Sequence, residues 1–294
     1  MKKDVSVVID QINEIRWLEG GTVAGALLTP GAYTLTSLIS GLEAEVVKIS
    51  IADNHAVLKV WNRDSKPDVA LQYNLLHALS AQGIAVSQPL GYGLDQEGNS
   101  VLLTPYDGQP INKLNKSILS TLVQKLTELH RFPISELKGL SLPKYDFVRY
   151  FFPMIEKYED IKLLLEQLAP KVSMRQNCII HGDYNLGNIL YLNGKYSIID
   201  WTNVQLGDSR YDAAWSILLM RIYAGERNGL TYQSLFMDER AFTSDESEHF
   251  EALACLRWVL LSRIAPELAK GRDTLSRARS ILNNNQYLRE DLLA

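Results

Sequence analysis

One stretch decides the fold that we expect, His181-Gly182-Asp183-Tyr184-Asn185-Leu186-Gly187-Asn188-Ile189-Leu190. It follows a short apolar run at 178–180 and leads into another at 189–192, so a polar loop joins two buried strands. The dipeptide Asn193-Gly194 then predicts a tight hairpin, because Asn-Gly between apolar runs is the strongest short hairpin signal. The returning strand ends at Asp200, which therefore lies near Asn188 at the start of the hairpin.

The polar residues of this region suit phosphoryl transfer. Asn188 and Asp200 place two oxygen ligands on rigid strands, and Mg²⁺ is a hard cation that takes few carboxylates and otherwise binds phosphates and water. Asp183, on the loop beside them, is placed to orient a hydroxyl and accept its proton. Phosphoryl transfer requires little more from a protein than positioning and charge neutralisation.

Two flanking segments complete a pattern with this loop. They are Leu129-His130 upstream and Gly207-Asp208-Ser209-Arg210-Tyr211-Asp212-Ala213-Ala214-Trp215 downstream of Ile199-Asp200-Trp201. The combination resembles the aminoglycoside phosphotransferase and choline kinase-like family of small-molecule kinases. Ser209 stands where proline is usual in that family, and Ala213 where leucine is usual. The resemblance covers residues 129–215 well, residues 33–110 loosely and the C-terminal part hardly at all.

The resemblance implies an α+β, bilobal protein-kinase-like fold with an antiparallel-sheet N-lobe and a mainly helical C-lobe. It implies a phosphotransferase that moves the γ-phosphate of ATP, with Mg²⁺, to a hydroxyl of a small molecule such as an aminoglycoside, another amine or a sugar derivative. It also implies roles for five residues: Asp183 is the catalytic base, His181 supports the catalytic loop, Asn188 and Asp200 are Mg²⁺ ligands, and Asp212 braces the loop.

The N-terminal half is then expected to clamp the nucleotide. Lys59 interrupts an apolar strand at 56–61, and a lysine there is expected to pair with the α- and β-phosphates. A lysine that snorkels from an edge strand is the alternative. The phosphate-covering loop is expected at 39–45 around Gly41, a single glycine that would equally suit an ordinary turn.

The partner of Lys59 is open. Kinase-like folds pair the strand lysine with a helix glutamate, but the pattern puts Gln72 at that place, and glutamine cannot neutralise Lys59. Either Asp68, one turn earlier, takes the role, or Gln72 makes a neutral hydrogen bond. This departure keeps a second interpretation open, a nucleotide-binding pseudokinase that regulates without transferring phosphate.

A hinge is predicted at Thr104-Pro105-Tyr106. Because Pro105 has no N–H, adenine can use only the Thr104 carbonyl and the Tyr106 amide. We therefore expect an N-terminal lobe over residues 1–105, a hinge over 106–112 and a C-terminal catalytic and substrate lobe over 113–294.

Hydrophobic periodicity predicts the remaining elements. Strands are expected at 33–39, 46–51 and 56–61 and near 89–92 and 100–104, and after Gly20-Gly21 the pattern changes to strand. Helices are expected from Asp4 to about residue 15, after Pro67, at 114–132 and 150–168, and from about 212, 248 and 272.

Composition narrows the class of protein. The chain has 30 Lys plus Arg against 34 Asp plus Glu, a formal net charge of −4, so nucleic-acid binding by bulk charge is excluded. Two cysteines are too few for a disulfide framework. Asp4 and Asp10 interrupt the apolar stretch after the basic start, and no run has the length that spans a bilayer. We expect a soluble cytoplasmic protein without membrane partners, and the sequence leaves its oligomeric state open.

A protein kinase is disfavoured, and the acceptor is open. Gly182 stands where protein kinases place an arginine, and only seven residues separate Asp200 from Asp208, too few for a peptide-docking segment. Residues 236–251 hold six acidic residues against one arginine. They suit either a border that attracts a cationic acceptor or the N-terminus of a helix, where acidic residues are favoured.

Overall fold

The chain divides into two compact units. A computed structural model describes residues 12–27, 33–38, 44–63, 65, 67–239 and 242–293 of the chain. The first unit comprises Met1–Gln109, Leu137–Leu140 and Leu190–Thr202, and the second comprises Pro110–Glu136, Ser141–Ile189 and Asn203–Ala294. The main boundary thus falls inside the segment predicted as the hinge, whereas residues 190–202, expected in the C-terminal lobe, group with the first unit.

The first unit is built on a six-stranded antiparallel sheet in the order β1-β5-β6-β4-β3-β2. Its strands are β1 (Arg16–Glu19), β2 (Tyr33–Ser37), β3 (Ala44–Ile51), β4 (Asn54–Trp61), β5 (Gly91–Leu94) and β6 (Ser100–Pro105). The described part of this unit contains two helices, α1 (Gly21–Leu27) and α2 (Val69–Ala81). The antiparallel sheet and the later helical region confirm the predicted fold class.

Strand alternation gives this sheet two chemically different faces. One face carries Ile49, Leu58 and Val101, which form a core with Ile12 and Ala24. Residues directly opposite each other across strands share a face. The residues of β3 and β6 that pair with β4 therefore share its second face. The residues on this face include Val46 and Lys48 of β3, Val57 and Lys59 of β4, and Leu102 and Thr104 of β6.

Helix α2 covers part of the Lys59 face. Asp68 caps its N-terminus, because the Asp68 carboxylate accepts the backbone N–H of Leu71 at 2.9 Å. The Tyr73 ring packs against Tyr92, 4.9 Å between centroids, and Tyr92 lies opposite Leu102 in the ladder.

A small hairpin completes the first unit. Strands β9 (Ile189–Leu192) and β10 (Lys195–Ile198) join at Asn193-Gly194, as predicted, and β9 also pairs with β7 (Gln109–Pro110). The Ile198 N–H donates to the Ala85 carbonyl at 2.8 Å, which explains why the hairpin groups with the first unit.

The second unit is mainly helical. Its helices are α3 (Lys116–His130), α4 (Phe147–Phe151), α5 (Glu159–Leu168), α6 (Ser209–Ala224), α7 (Glu226–Asp238), α8 (Ser244–Ile264) and α9 (Thr274–Asn284). A two-stranded ladder joins β8 (Cys178–Ile180) to β11 (Gln205–Gly207). The core lies between α6 and α8, with Trp215 and Leu218 packed in one cluster with Leu256 and Leu260.

Several elements differ from the sequence prediction. The single helix expected at 150–168 is divided into α4 and α5. The segment around Gly20 forms strand β1 before the glycine and helix α1 after it, whereas the pattern predicted strand after the glycine pair. Strand β11 was not predicted. The helix expected from Asp4 lies mostly outside the described residues, which begin with a short 3₁₀ turn at Ile12–Glu14.

Candidate active site

A buried carboxylate holds the His-Gly-Asp loop in the second unit. Asp212, in the first turn of α6, is fully buried. It accepts the backbone N–H of His181 at 2.9 Å and that of Gly182 at 2.8 Å, and His130 Nε2 donates to it at 2.9 Å. Burial alone would raise the pKa of Asp212, but the hydrogen bond and charge of His130 and the contacts with His181 hold that pKa below its ordinary value. The predicted bracing role of Asp212 is therefore confirmed.

Gly182 allows the sharp turn of this loop. Its φ of +77° is in the left-handed region, and a Cβ at this position would lie 2.7 Å from the Cβ of Asn203. The arginine that protein kinases place here would therefore not fit this turn.

The carboxylate of Asp183 is held by three side-chain donors. Trp215 Nε1 donates to Oδ1 at 3.0 Å, and the side-chain amides of Asn185 and Asn188 each donate to Oδ2 at 3.1 Å. The side chain is only half-buried. Asp183 is therefore fixed in one orientation while it remains accessible to solvent.

The two asparagines of the loop differ in what they leave available. Both donate from Nδ2 to the backbone carbonyl of Asp183 as well, at 3.1 Å from Asn185 and 2.9 Å from Asn188. The Asn185 Oδ1 is used, because it accepts the Gly187 N–H at 2.8 Å. The Nδ2 of Asn188 donates to two oxygens of Asp183, so the Oδ1 of Asn188 points away from Asp183. None of the described residues donates a hydrogen bond to that Oδ1. Asn188 thus fits a metal ligand better than Asn185.

His181 acts through the backbone of the loop. It is fully buried, and its Nδ1 accepts the Asp183 N–H at 3.3 Å, so the ring proton of the neutral form is on Nε2. This position suits the support of the loop that the sequence predicted, and it does not suit contact with a substrate.

Lys59 and Asp200 both belong to the first unit. Burial lowers the pKa of Lys59, and the nearby carboxylate of Asp200 opposes that shift. Asp200 has a φ of 65°, and its Oδ1 accepts the Thr202 hydroxyl at 3.0 Å. Asp200 thus supplies negative charge near Lys59, but the two side chains do not form an ion pair. No other carboxylate of the described residues lies within ion-pair distance of Lys59.

Neither candidate partner of Lys59 neutralises it. Gln72 is 4% exposed and lies on the buried side of α2, but it carries no charge. Asp68 is used as the N-cap of α2, which explains why it is not available to Lys59. The alternative in which Asp68 replaces the helix glutamate is therefore wrong.

We expect Asp68→Ala to distinguish capping of α2 from pairing with Lys59. Loss of an N-cap should lower the free energy of unfolding by about 1 kcal/mol. Affinity for Mg-ATP should change less than twofold, because the carboxylate caps the helix rather than pairing with Lys59. Chemical denaturation and calorimetric titration measure the two effects, and Asp68→Asn, which keeps a cap, is the control. A large loss of affinity in both variants would contradict the assignment.

The predicted adenine contact of the Tyr106 amide needs correction. The Tyr106 N–H donates to the His55 carbonyl at 3.0 Å, and Thr104 lies opposite Val57 in the same ladder. The Tyr106 amide is therefore part of the sheet and not available to adenine as predicted. The reason is the position of Pro105, which lies opposite Ala56 where the β4–β6 ladder does not use an N–H from β6. The proline therefore does not end the pairing of the two strands. Thr104 is buried on the Lys59 face, and its contact with a nucleotide stays a prediction.

The predicted phosphate loop follows β2 in the sequence. Gly41 and its neighbours from 39 to 43 lie outside the described residues. The strands that flank it, β2 and β3, are adjacent and antiparallel, as that prediction requires.

The described part of the acidic segment at 236–251 contains the end of α7 and, from Ser244, the start of α8. Thr243 and Glu246 make a capping box at the N-terminus of α8, and Glu246 also pairs with Arg210. The Thr243 N–H and the Arg210 guanidinium lower the pKa of Glu246. Glu239 pairs with Arg131, 3.2 Å between Oε2 and Nη2. These contacts favour the helix interpretation over a border that binds a cation.

Sequence reasoning missed two residues that hold the loop. Trp215 donates to the Asp183 carboxylate, and Arg257 Nη1 donates to the Gly182 carbonyl at 3.0 Å. Trp215 stands three residues after Asp212, so one turn of α6 brings it to the same side. Arg257 lies 75 residues beyond Gly182, in the helix expected from about residue 248, and no local signal identifies it.

The two units together define a class of protein. An antiparallel sheet with a buried lysine and a helical unit with a braced His-Gly-Asp loop are the parts of a kinase-like phosphotransferase. The chain belongs to the phosphotransferase enzyme family, whose model matches residues 34–241. A comparison with curated protein sequences gave no significant match.

Solved structures share the fold at low sequence identity. A thermostable mutant of aminoglycoside phosphotransferase APH(4)-Ia has a TM-score of 0.67 and 15% identity, and the match covers 90% of this chain and 99% of that one. The amicoumacin kinase hAmiN, solved with AMP-PNP, Ca²⁺ and Ami, has a TM-score of 0.62, 16% identity and full coverage of both chains, 100% each. An ethanolamine kinase from Plasmodium vivax has a TM-score of 0.62 and 13% identity, with 89% of this chain and 85% of that one covered. In the described part of this chain, no helix is long and apolar enough to cross a membrane.

Proposed function

We propose that this protein transfers the γ-phosphate of ATP, with Mg²⁺, to a hydroxyl group of a small molecule. The observation that carries the proposal is the Asp183 carboxylate, which is half-buried and fixed by Trp215, Asn185 and Asn188 on a loop braced by Asp212. Structural roles alone do not require a carboxylate that is both oriented by three donors and accessible.

In the proposed reaction, Asp183 orients the acceptor hydroxyl. As the acceptor oxygen bonds to the γ-phosphorus, the bond from that phosphorus to the β–γ bridging oxygen breaks and ADP leaves. The hydroxyl proton passes to an oxygen of Asp183. Lys59 lies on the sheet face opposite the apolar core, and in this proposal it neutralises phosphate charge. Burial lowers its pKa, and a bound polyphosphate would compensate that burial.

The two ligands that the resemblance implies, Asp200 and Asn188, are both of a chemical type that binds Mg²⁺. Asp200 offers the carboxylate oxygen that Thr202 does not engage, and Asn188 offers Oδ1, so both candidate ligands are hard oxygen donors. Bound Mg²⁺ would supply charge neutralisation at the β- and γ-phosphates. Within the described residues no group of three His, Cys, Asp or Glu side chains could hold a metal alone, which suits an ion that relies on phosphate oxygens and water.

A two-stage experiment tests the proposal. Calorimetry with ATP, with and without Mg²⁺, measures nucleotide binding. A coupled ADP-release assay over hydroxylated amines, neutral sugars and aminoglycosides, with ³¹P NMR of the product, then measures transfer to a hydroxyl. We expect Mg²⁺-dependent binding and a phosphate monoester from at least one acceptor. Binding without transfer to any acceptor would favour the pseudokinase interpretation, and absence of binding would contradict both.

A further inference from the structure

Arg257 is a buried arginine with an unusual environment. It lies in α8 and is 6% exposed. Its guanidinium carbon lies 4.3 Å from the centroid of the Phe151 ring and 4.0 Å from that of Trp215. Two other buried arginines of the second unit, Arg210 and Arg221, form ion pairs with acidic side chains, whereas Arg257 forms none with the described residues. Burying a charge without a carboxylate partner is costly, so the site must compensate it in another way.

Arg257 contacts the catalytic loop at the peptide group that precedes Asp183. Its Nη1 donates to the Gly182 carbonyl at 3.0 Å. The N–H of the same peptide group, which belongs to Asp183, donates to His181 Nδ1 at 3.3 Å. The plane of the Gly182–Asp183 peptide is therefore held at both ends, by Arg257 and by His181.

Arg257 also contacts the side chain that orients the Asp183 carboxylate. The guanidinium stacks on the Trp215 ring, and the indole N–H of that ring donates to Asp183 Oδ1 at 3.0 Å. A cation on the face of an indole is favourable, particularly when both groups are desolvated. One side chain thus supports both the backbone and the carboxylate of Asp183.

We propose that Arg257 is a positioning residue for the phosphotransferase reaction, which fixes the peptide plane before Asp183 and the Trp215 ring that holds its carboxylate. The expected effect of Arg257 on turnover rests on the proposed function, but its expected effect on the structure of the loop does not. A planar guanidinium suits this role, because it donates to the carbonyl while its carbon lies over the Phe151 and Trp215 rings. Packing alone would explain burial, but not the hydrogen bond to the loop.

The Trp215 indole N–H gives a readout that does not depend on turnover. The chain has five tryptophans, so ¹⁵N-indole labelling gives five resonances, and Trp215→Phe assigns the one that matters. We expect Arg257→Met to shift this resonance and to increase its hydrogen-exchange rate by about tenfold or more, because the ring loses its support. Arg257→Lys keeps the charge but not the planar fork, and we expect an intermediate increase.

Arg221→Met is the matched control. Arg221 is also buried, 5% exposed, and pairs with Glu226 and Glu251 rather than with the loop. We expect this variant to lower the melting temperature and to leave Trp215 exchange within twofold of wild type. If Arg257→Met or Arg257→Lys leaves Trp215 exchange at the wild-type rate, or if Arg221→Met raises it equally, the positioning role is overturned.

Kinetics test the consequence of the same change. With the acceptor found in the screen, we expect Arg257→Met to lower kcat by about 10- to 100-fold while the KM for ATP stays within about twofold, because a small displacement of a reacting group is costly. Arg257→Lys should recover part of kcat. Unchanged kcat would overturn the proposal. A wild-type protein that transfers no phosphate would contradict the proposed function, while the exchange measurement would still decide the role of Arg257.

Discussion

Asp183→Asn should lower kcat by about 10²- to 10⁴-fold, the usual contribution of a positioned general base. At 1.36 kcal/mol for each factor of ten, this corresponds to a barrier higher by about 3–5 kcal/mol. The substitution keeps the shape of the side chain but removes the proton acceptor. Affinity for Mg-ATP should be retained, because Asp183 orients the acceptor rather than the nucleotide. Steady-state kinetics and calorimetric titration measure the two quantities.

The three donors around Asp183 add a second expectation for this variant. Asparagine can place its oxygen toward Asn185 and Asn188, but its NH₂ group then faces the Trp215 N–H and cannot accept from it. We expect the free energy of unfolding to fall by about 1–3 kcal/mol, the cost of leaving a donor unpaired. Asp160→Asn, which weakens an ion pair with Arg263 elsewhere in the second unit, is the control and should leave kcat unchanged. Near-wild-type turnover in Asp183→Asn would show that another group accepts the proton.

The catalytic loop was predictable because its geometry is local. The spacing from His181 to Asn188 and the Asn193-Gly194 hairpin depend on residues close in sequence, and turn chemistry fixes both. The role of Asp212 followed from the family resemblance, and the structure confirms it through two backbone N–H groups.

Other features depend on contacts that no local pattern encodes. Arg257 contacts Gly182 across 75 residues, and its stacking on Trp215 is visible only after α6 and α8 have packed. The Tyr106 contact with adenine was wrongly predicted for a related reason, because the position of Pro105 opposite Ala56 depends on the register of β4 against β6. The strand before Gly20 was missed because it pairs with β5, more than 70 residues later.

Asp200→Asn, Asp200→Ala and Asp200→Gly should all lose Mg²⁺-dependent nucleotide binding. Of the two proposed Mg²⁺ ligands, Asp200 and Asn188, Asp200 alone carries a charge, and asparagine provides a neutral oxygen in its place. We expect affinity for Mg-ATP to fall by about 100-fold or more in the alanine and glycine variants, at the upper end of what loss of metal-site contacts costs. The loss should be smaller for asparagine.

The same three variants should differ in stability without nucleotide, because the backbone of Asp200 has a φ of 65°. Alanine is strained in the left-handed region by about 1–2 kcal/mol, asparagine and aspartate tolerate it better, and glycine adopts it freely. We therefore expect melting temperatures to fall in the order glycine, then asparagine, then alanine, whereas packing alone would place the glycine variant lowest.

Thermal melting with and without Mg-ATP tests both expectations on one set of proteins. Wild type should melt at a higher temperature with Mg-ATP, since a ligand that binds only the folded state stabilises it by mass action. The glycine variant should combine the smallest ligand-induced shift with the highest melting temperature of the three without ligand. If Asp200→Ala is stabilised by Mg-ATP as much as wild type, Asp200 is not a metal ligand. If the alanine and glycine variants melt at the same temperature without ligand, the left-handed backbone at position 200 does not strain a residue that has a Cβ.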